Sequence, residues 1–434
     1  MKILHITPHL GGGVGNFISK LILLDKEYIH HVLLLEAPKN QKFVDPIEDL
    51  IILNDSNINL KRLLPKYDIV ILHWWHHPKT SKFLFEMPQL PVRMLIWSHI
   101  SNLTVPALNG DFFKIASRII FSTPASINAE IYKHIPDIVK KKKSAYIYTC
   151  PGFEDVPFRK RPEKTTFNIG YFGSIDFAKL HPEFVEFCNS VKLEDAIFLL
   201  VGDSPAKDII TKQAKEANLL NRLYFLGFAD NIWEKLNEFD VLGYPLMPEH
   251  TCTTENSILE AMAFGIPPVL LNQLTEKYII KNGETGFLVS NFKEYGEIMR
   301  YLYYHPKTRI EIGKNAKEHV LRKYSTKNLL DAFRSNCEIC LKEPKISIDF
   351  SSYFGKTPAE WFFYNLGKDK AIFECSFQKG INNQTNEIKE SLRRTSNLLK
   401  QPTKASVHHY SREFQDDEML KMWSYILNED SFQN

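Results

Sequence analysis

The chain has 434 residues, too many for one hydrophobic core, so two or three domains are expected. Its 54 basic residues stand against 51 acidic ones, and a formal charge of +3 gives no argument for a nucleic-acid partner. No run of 18 apolar residues occurs, so nothing in the sequence reads as a membrane span.

Lys2 to Thr7 reads as a buried strand that opens into Gly11-Gly12-Gly13-Val14-Gly15. An apolar helix face follows with Val14, Phe17, Ile18, Leu21 and Ile22. Further strands are expected at His31 to Leu35, Ile69 to His73, Arg93 to Trp97, Ile119 to Ser122 and Ala145 to Tyr148. Strands buried on both faces and spaced in this way suggest a parallel sheet covered by helices. Between Pro157 and Thr166 the composition turns to that of a linker, and a second alternation then starts. Its expected strands are Asn168 to Phe172, Ala196 to Val201, Leu223 to Leu226, Phe239 to Pro245 and Pro268 to Leu271, with helices between them. Helices are expected from Tyr295 to Tyr304, Thr308 to Leu321 and Thr326 to Cys340. From about Pro344 the chain is too aromatic for a disordered tail, as Glu360-Trp361-Phe362-Phe363-Tyr364 shows, and a final helix is expected near Asp417 to Leu427. The fold class is therefore α/β, with two tandem domains and a C-terminal extension. The expected boundaries are 1–160, 165–335 and 344–434.

Six cysteines are present, and the one close pair, Cys337 and Cys340, stands in a helical pattern without a second pair, so no zinc site is expected. The chain reads as a reduced, cytoplasmic protein. His5 and His9 interrupt the apolar N-terminus, which does not read as a signal peptide, and peripheral contact with the inner face of a membrane stays open.

Four groups of residues carry candidate chemistry. The first is the glycine loop, where Gly12 and Gly13 let backbone amides approach an anion at a helix start, or simply form a tight turn. It lacks the Gly-Lys-Ser/Thr ending of a nucleotide-hydrolase phosphate loop, and it fits a dinucleotide fingerprint poorly because Asn16 stands where glycine belongs. Glu36, at the end of the next strand, keeps a nicotinamide or flavin oxidoreductase in view. The second group, from Gly173 and Ser174 to Lys179, lies just beyond the first strand of the second domain. Lys179 there is either a diphosphate partner or an exposed helix-start residue. The third is Thr254, Glu255, Asn256 and Glu260. Free amides at this helix start favour a phosphate or a sugar hydroxyl, Glu260 suits a ribose diol or an internal ion pair, and Glu255 suits the helix dipole or a sugar. The fourth is His73-Trp74-Trp75-His76-His77 with Trp97-Ser98-His99. No carboxylate or cysteine accompanies these histidines at useful spacing, so no metal is expected. Trp74, Trp75 and His76 are candidates for the acceptor side, against the plainer reading of an aromatic core with loop histidines.

The runs Glu260-Ala261-Met262-Ala263-Phe264-Gly265-Ile266-Pro267 and Gly283-Glu284-Thr285-Gly286-Phe287-Leu288-Val289, with Leu226-Gly227-Phe228 and Tyr244-Pro245, resemble the signature of retaining glycosyltransferases of the two-Rossmann-domain, GT-B type, in the group-1 or family-4-like class. The likeness covers roughly residues 1 to 335. It implies two tandem Rossmann-like domains facing each other across a cleft, a nucleotide diphosphate sugar as co-substrate, no metal or other cofactor, and a glycan or lipid-linked acceptor in surface polysaccharide or glycoconjugate synthesis. On that pattern Glu260 grips the ribose, Lys179 meets the diphosphate beside Gly173, and Gly227 and Phe228 lie in the base-contact loop. Gly12 and Gly13 face the donor phosphate, and His99 lies near the donor sugar; His99, Lys179 and Glu260 are the catalytic candidates. Two positions depart from the pattern. Ser174 stands where the family has arginine, and Cys252 stands where it often has glutamate. Arg118 for the first, and Glu255 or Glu249 for the second, are possible substitutes. The departures also motivate a different class of function, a sugar or nucleotide binding module without turnover.

Overall fold

The computed structural model describes all residues except 39–43, 45, 46, 48, 54–57, 161–164, 402–404 and 429–434. Of the expected linker, residues 161–164 lie outside the described residues. The chain forms two compact units, one of Met1–Thr149 with the chain from Leu329 onward, the other of Cys150–Asn328. The divisions therefore fall earlier than the expected 160 and 335, and the C-terminal extension is counted with the first unit.

In the first unit the strands are β1 (Lys2–Thr7), β2 (Ile29–Leu34), β3 (Leu50–Ile52), β4 (Ile69–Trp74), the short β5 (Pro91–Val92), β6 (Met94–Ser98), β7 (Arg118–Phe121) and β8 (Ser144–Tyr146). Seven of them pair in the order β3-β2-β1-β4-β6-β7-β8, all parallel. Both faces are covered, which is why these strands are mostly apolar, with His5, His30 and His73 among the buried exceptions. Leu4, Ile6, Val70, Leu72, Met94 and Ile96 fill one layer. Ile3, Val32, Leu34, Ile69, Ile71, Leu95 and Trp97 fill the other, against Phe17 and Ile18 of the helix Gly12–Leu24 and Phe333 and Cys337 of the helix Thr326–Leu341. Each such side chain contributes about 1.5–3 kcal/mol by leaving water. Cys337 and Cys340 are packing groups here, and burial pushes both thiols up, Cys340 to about 12.

The extension is built into this unit. A short strand, Ile346–Ser347, pairs antiparallel with β5, and Phe350, Phe354 and Trp361 enter the first layer. Beyond them Phe362, Phe373, Leu399, Tyr410 and Trp423 form a helical core that also takes in Val105. Ser81 and Tyr410 hydroxyls meet at 2.8 Å, and Lys79 pairs with Glu413 at 2.8 Å, so these helices are tied to the helix Pro78–Glu86.

The second unit holds β9 (Phe167–Phe172), β10 (Ala196–Val201), β11 (Leu223–Gly227), β12 (Val241–Tyr244), β13 (Pro268–Leu271) and β14 (Phe287–Val289). They pair in the order β11-β10-β9-β12-β13-β14, again all parallel. Besides the two-residue strands β5 and Ile346–Ser347, two strands of the parallel sheets were not anticipated from sequence, β3 and β14. Each has three residues, too few for a periodic pattern to register.

Candidate functional site

Both sheets reverse strand order beside their first strand, between β1 and β4 in one unit and between β9 and β12 in the other. Open parallel sheets offer a ligand crevice beyond the carboxyl ends of the strands at such a point.

In the second unit β9 runs into Gly173, which has φ of +137°; a Cβ there would stand 3.3 Å from both Lys179 Nζ and Tyr244 OH. Glycine thus leaves room for these two groups to converge. Asp176 organises the loop: its Oδ1 accepts from the Ala178 amide at 2.9 Å and its backbone oxygen from the Lys179 amide at 3.1 Å. Ser174 Oγ donates to Asp176 Oδ2, so its hydroxyl is used inside the loop. Lys179 Nζ lies 3.0 Å from Glu255 Oε2, which also accepts from Tyr244 OH at 2.9 Å. Tyr244 in turn stacks on Tyr171 with ring centres 4.8 Å apart.

Glu255 is held in an unusual way. It precedes the helix Asn256–Ala263 with φ of +47° and makes no side-chain cap. A non-glycine residue in this left-handed region costs about 1–2 kcal/mol, which places its side chain on Lys179 instead. Burial pushes its carboxyl up, but the Lys179 charge and hydrogen bonds from Cys252 and Lys179 outweigh that and hold it at about 2. Burial likewise disfavours the Lys179 ammonium, and Glu255 overcomes it, so Lys179 stays charged well above its ordinary range. The loop carrying Glu255 is anchored by a buried contact of 2.8 Å between His250 Nε2 and Glu276 Oε1, and the Cys252 amide donates to His250 Nδ1 at 3.2 Å.

Thr254 is buried ahead of the helix, and Asn256 opens it with a buried Oδ1 that has no hydrogen-bond partner among the described residues. Glu260, half-buried, lies one turn along on the same side of the helix as Asn256. Gly227 ends β11 with φ of +70° and open space around it, and Phe228 is 68% exposed. The later glycine run makes the turn into β14, where the Lys281 amide donates to Thr285 Oγ1 at 2.8 Å.

In the first unit Gly12 and Gly13 open the helix Gly12–Leu24 with free space where a side chain would be, and Gly12 has φ of +64°. A Cβ on Gly15 would strike the Leu10 backbone, so this glycine serves packing. Around the loop, His9, Trp75, His77 and His99 make edge contacts, with the His9 and Trp75 ring centres 5.7 Å apart. His99 follows β6, buried, and its Nε2 lies 2.8 Å from His73 Nδ1. Burial pushes the His99 ring down to about 3.

His9, Glu36 and His77 bring one possible metal-binding atom each to within 4.8 Å of one another. The Gly11 amide donates to His9 Nδ1 at 2.9 Å and the Lys79 amide to His77 Nδ1 at 3.2 Å. Neutral rings bound in this way carry their proton on Nε2. They present N–H groups, rather than lone pairs for a metal, so the donor set does not fit an ion in this arrangement.

Three expectations are corrected. Trp74 is 2% exposed and packs in the sheet layer, since its place on β4 turns it inward. His76 is buried under the C-terminal helices, its ring stacked on Tyr410 at 4.9 Å. Of the acceptor-side trio only Trp75 remains partly open. Arg118 begins β7, at the opposite end of the strand from the loops, and is spent on Asn336 Oδ1 at 2.9 Å and the Lys142 carbonyl at 2.6 Å. Sequence reasoning missed Tyr171, the Tyr244 hydroxyl that donates to Glu255, and the burial of His5 and His30. For the histidines the available signal was a titratable side chain inside an otherwise apolar strand.

Residues 153–319, which lie in the second unit, match the model of the family described as glycosyl transferases group 1. The chain is 26% identical over 161 residues to the N-acetyl-alpha-D-glucosaminyl L-malate synthase of Bacillus anthracis, a match covering 37% of this chain and 42% of that one. It is 25% identical over 156 residues to the 2-deoxystreptamine N-acetyl-D-glucosaminyltransferase of Niallia circulans, covering 36% and 39%. The chain thus spans between 28% and 42% of the length of the curated relatives it matches. Its fold is similar to that of Anabaena Alr3699/HepE, solved with UDP, at TM-score 0.62 and 16% identity over 78% of this chain and 100% of that one. It is also similar to a glycosyltransferase from Rickettsia africae, at TM-score 0.61 and 16% identity over 79% and 99%. The architecture is the GT-B fold, with two Rossmann-like units and a helical C-terminal extension.

Proposed function

We propose that this chain is a retaining glycosyltransferase that moves a sugar from a nucleotide diphosphate sugar to an acceptor hydroxyl. The observation that carries the reading is the Lys179–Glu255 pair above Gly173, at the strand reversal of a unit whose sequence matches the group 1 family. A leaving diphosphate needs positive charge that appears without reorganisation, and Lys179 with the free amides at the start of Asn256–Ala263 supplies it. An incoming diphosphate competes with Glu255 for Lys179. Binding then frees the Glu255 carboxylate to accept hydroxyls of the transferred sugar, as Glu260 accepts those of the ribose. Thr254, Asn256, Gly227 and Phe228 complete the donor side. Gly12, Gly13, Trp75 and His99 serve the first unit's share, His99 orienting the sugar. With no protein nucleophile evident among the described residues, the departing phosphate oxygen takes the acceptor proton on the same face. The acceptor is a glycan or a lipid-linked oligosaccharide of a surface polysaccharide or glycoconjugate, met in the cytoplasm or at the inner membrane face.

A second reading is a binding module without turnover. Two contacts favour it: Ser174 is tied to Asp176, and Lys179 is neutralised by Glu255. The test is a thermal-shift screen of nucleotide sugars followed by product analysis, with Lys179→Ala and Glu260→Ala beside the parent. Transfer that is lost in both variants supports the enzyme. Binding without product supports the module, and turnover kept in both variants removes the assigned site from the reaction.

A further inference from the structure

One face of the first sheet carries a row of four histidines across four neighbouring strands, from His30 on β2 through His5 on β1 and His73 on β4 to His99 after β6. The register explains the row. Ile3 stands level with His30, Ile71 with His5 and Trp97 with His73, so each histidine lies two positions beyond the residue level with the one before. A shift of two keeps every ring on the same face, and the row climbs diagonally to the carboxyl edge. His5 Nε2 lies 2.9 Å from His30 Nδ1, His5 Nδ1 lies 3.0 Å from His73 Nε2, and His73 Nδ1 lies 2.8 Å from His99 Nε2. At the lower end His30 Nε2 meets Asp25 Oδ2 at 3.2 Å. Asp25 Oδ1 accepts from Arg334 Nε at 3.1 Å and Nη2 at 2.7 Å.

These contacts have a direction. An ionised carboxylate only accepts, so His30 Nε2 carries a proton. With all four rings neutral each carries one proton, so His30 Nδ1 is an acceptor, His5 Nε2 a donor, His5 Nδ1 an acceptor, and so on along the row. The last ring then has its proton on Nε2 and a bare lone pair on Nδ1. That atom, His99 Nδ1, is buried and has no hydrogen-bond partner among the described residues. One added proton would reverse every bond and make it a donor. The Arg334 guanidinium opposes this, because it already balances the Asp25 charge.

We propose that Asp25, through His30, His5 and His73, fixes His99 Nδ1 as a hydrogen-bond acceptor for a ligand hydroxyl at the carboxyl edge of the first sheet. His99 is the ligand contact, and the other four are positioning residues. The proposal rests on the sugar-transfer reading only for the ligand, since the direction of the row follows from the Asp25 contact and four neutral rings, which the tautomer measurement below reads directly.

Histidine-selective 15N NMR of the whole chain tests it. The parent protein at neutral pH is expected to show His99 with a protonated Nε2 and an unprotonated Nδ1, and His73 and His5 in the same tautomer. Arg334→Gln leaves Asp25 unbalanced and is expected to move His99 toward protonated Nδ1. A parent protein with His99 protonated on Nδ1 overturns the proposal, whatever the variant does, and so does an unchanged His99 tautomer in a folded Arg334→Gln. The source of the hydroxyl is read from kinetics of Arg334→Gln: about a tenfold rise in KM for the nucleotide sugar marks the donor, and the same rise for the acceptor marks the acceptor. Neither KM moving in a variant whose tautomer has moved refutes the ligand contact. If no nucleotide sugar is turned over, the transfer reading fails while the tautomers still decide the direction of the row.

Discussion

Glu255→Gln tests the centre of the donor-side argument. A carboxyl held at about 2 instead of its ordinary 4.5 corresponds to about 3 kcal/mol of folded-state stabilisation. The side chain is 9% exposed, so solvent screening takes little from this figure. Because the folded value is depressed, the stabilisation is complete above pH 4.5 and is lost as pH falls through about 2. Urea denaturation, with hydrogen exchange of the Asn256–Ala263 amides to localise the change to the second unit, should show the variant about 3 kcal/mol less stable at pH 7. The gap should shrink to roughly 1.5 kcal/mol at pH 3. Glutamine keeps the shape and the left-handed backbone, so the charge is what changes. Removing a like charge beside the diphosphate position should also tighten nucleoside diphosphate binding by about tenfold, or 1.4 kcal/mol, while sugar transfer falls. A gap under about 1 kcal/mol at pH 7, or one that does not narrow with acid, would refute the claim that Lys179 holds Glu255 ionised. Weaker nucleotide binding would refute the proposed competition.

Acid should weaken the first unit well before carboxylates are protonated. His76 and His99 sit at about 3 when folded against an ordinary 6.5, so stability is whole above pH 6.5 and falls below it, each ring costing about 2 kcal/mol at pH 5; His76→Asn should remove its share in a pH series of melting curves. Gly15→Ala should destabilise by about 2–3 kcal/mol, because its Cβ meets the Leu10 backbone, whereas Gly13→Ala meets open space and should cost under about 1 kcal/mol; thermal melts compare the two. Tyr410→Ala empties a buried site against His76 and Phe362 and should cost about 3–5 kcal/mol in the first unit. Hydrogen exchange should then report loosened helices from 358 to 428 and an unchanged second sheet.

How much of this was legible beforehand differs by element. Long strands such as Lys2–Thr7 and Ala196–Val201 announce themselves, because a strand covered on both faces must be largely apolar, and that constraint lies in the sequence itself. The glycine turn at Gly173 and the helix start at Asn256 were visible for a similar reason, since a left-handed turn and a free helix end each demand particular residue types. Short strands such as β3 and β14 left no such trace. Which residues meet was another matter. Ser174, Lys179 and Glu255 could be named singly, but the sequence does not say that Glu255 takes a left-handed backbone and turns its carboxylate on Lys179. Trp74 and His76 read as acceptor-side candidates because a strand end is usually open, and only the packing of β4 and of the C-terminal helices shows both buried. The histidine row is the clearest case. Its members lie at positions 5, 30, 73 and 99, with no common spacing, and strand order and register alone bring them into one line. Local chemistry is written along the chain, whereas contact between distant strands is set by how the sheet pairs.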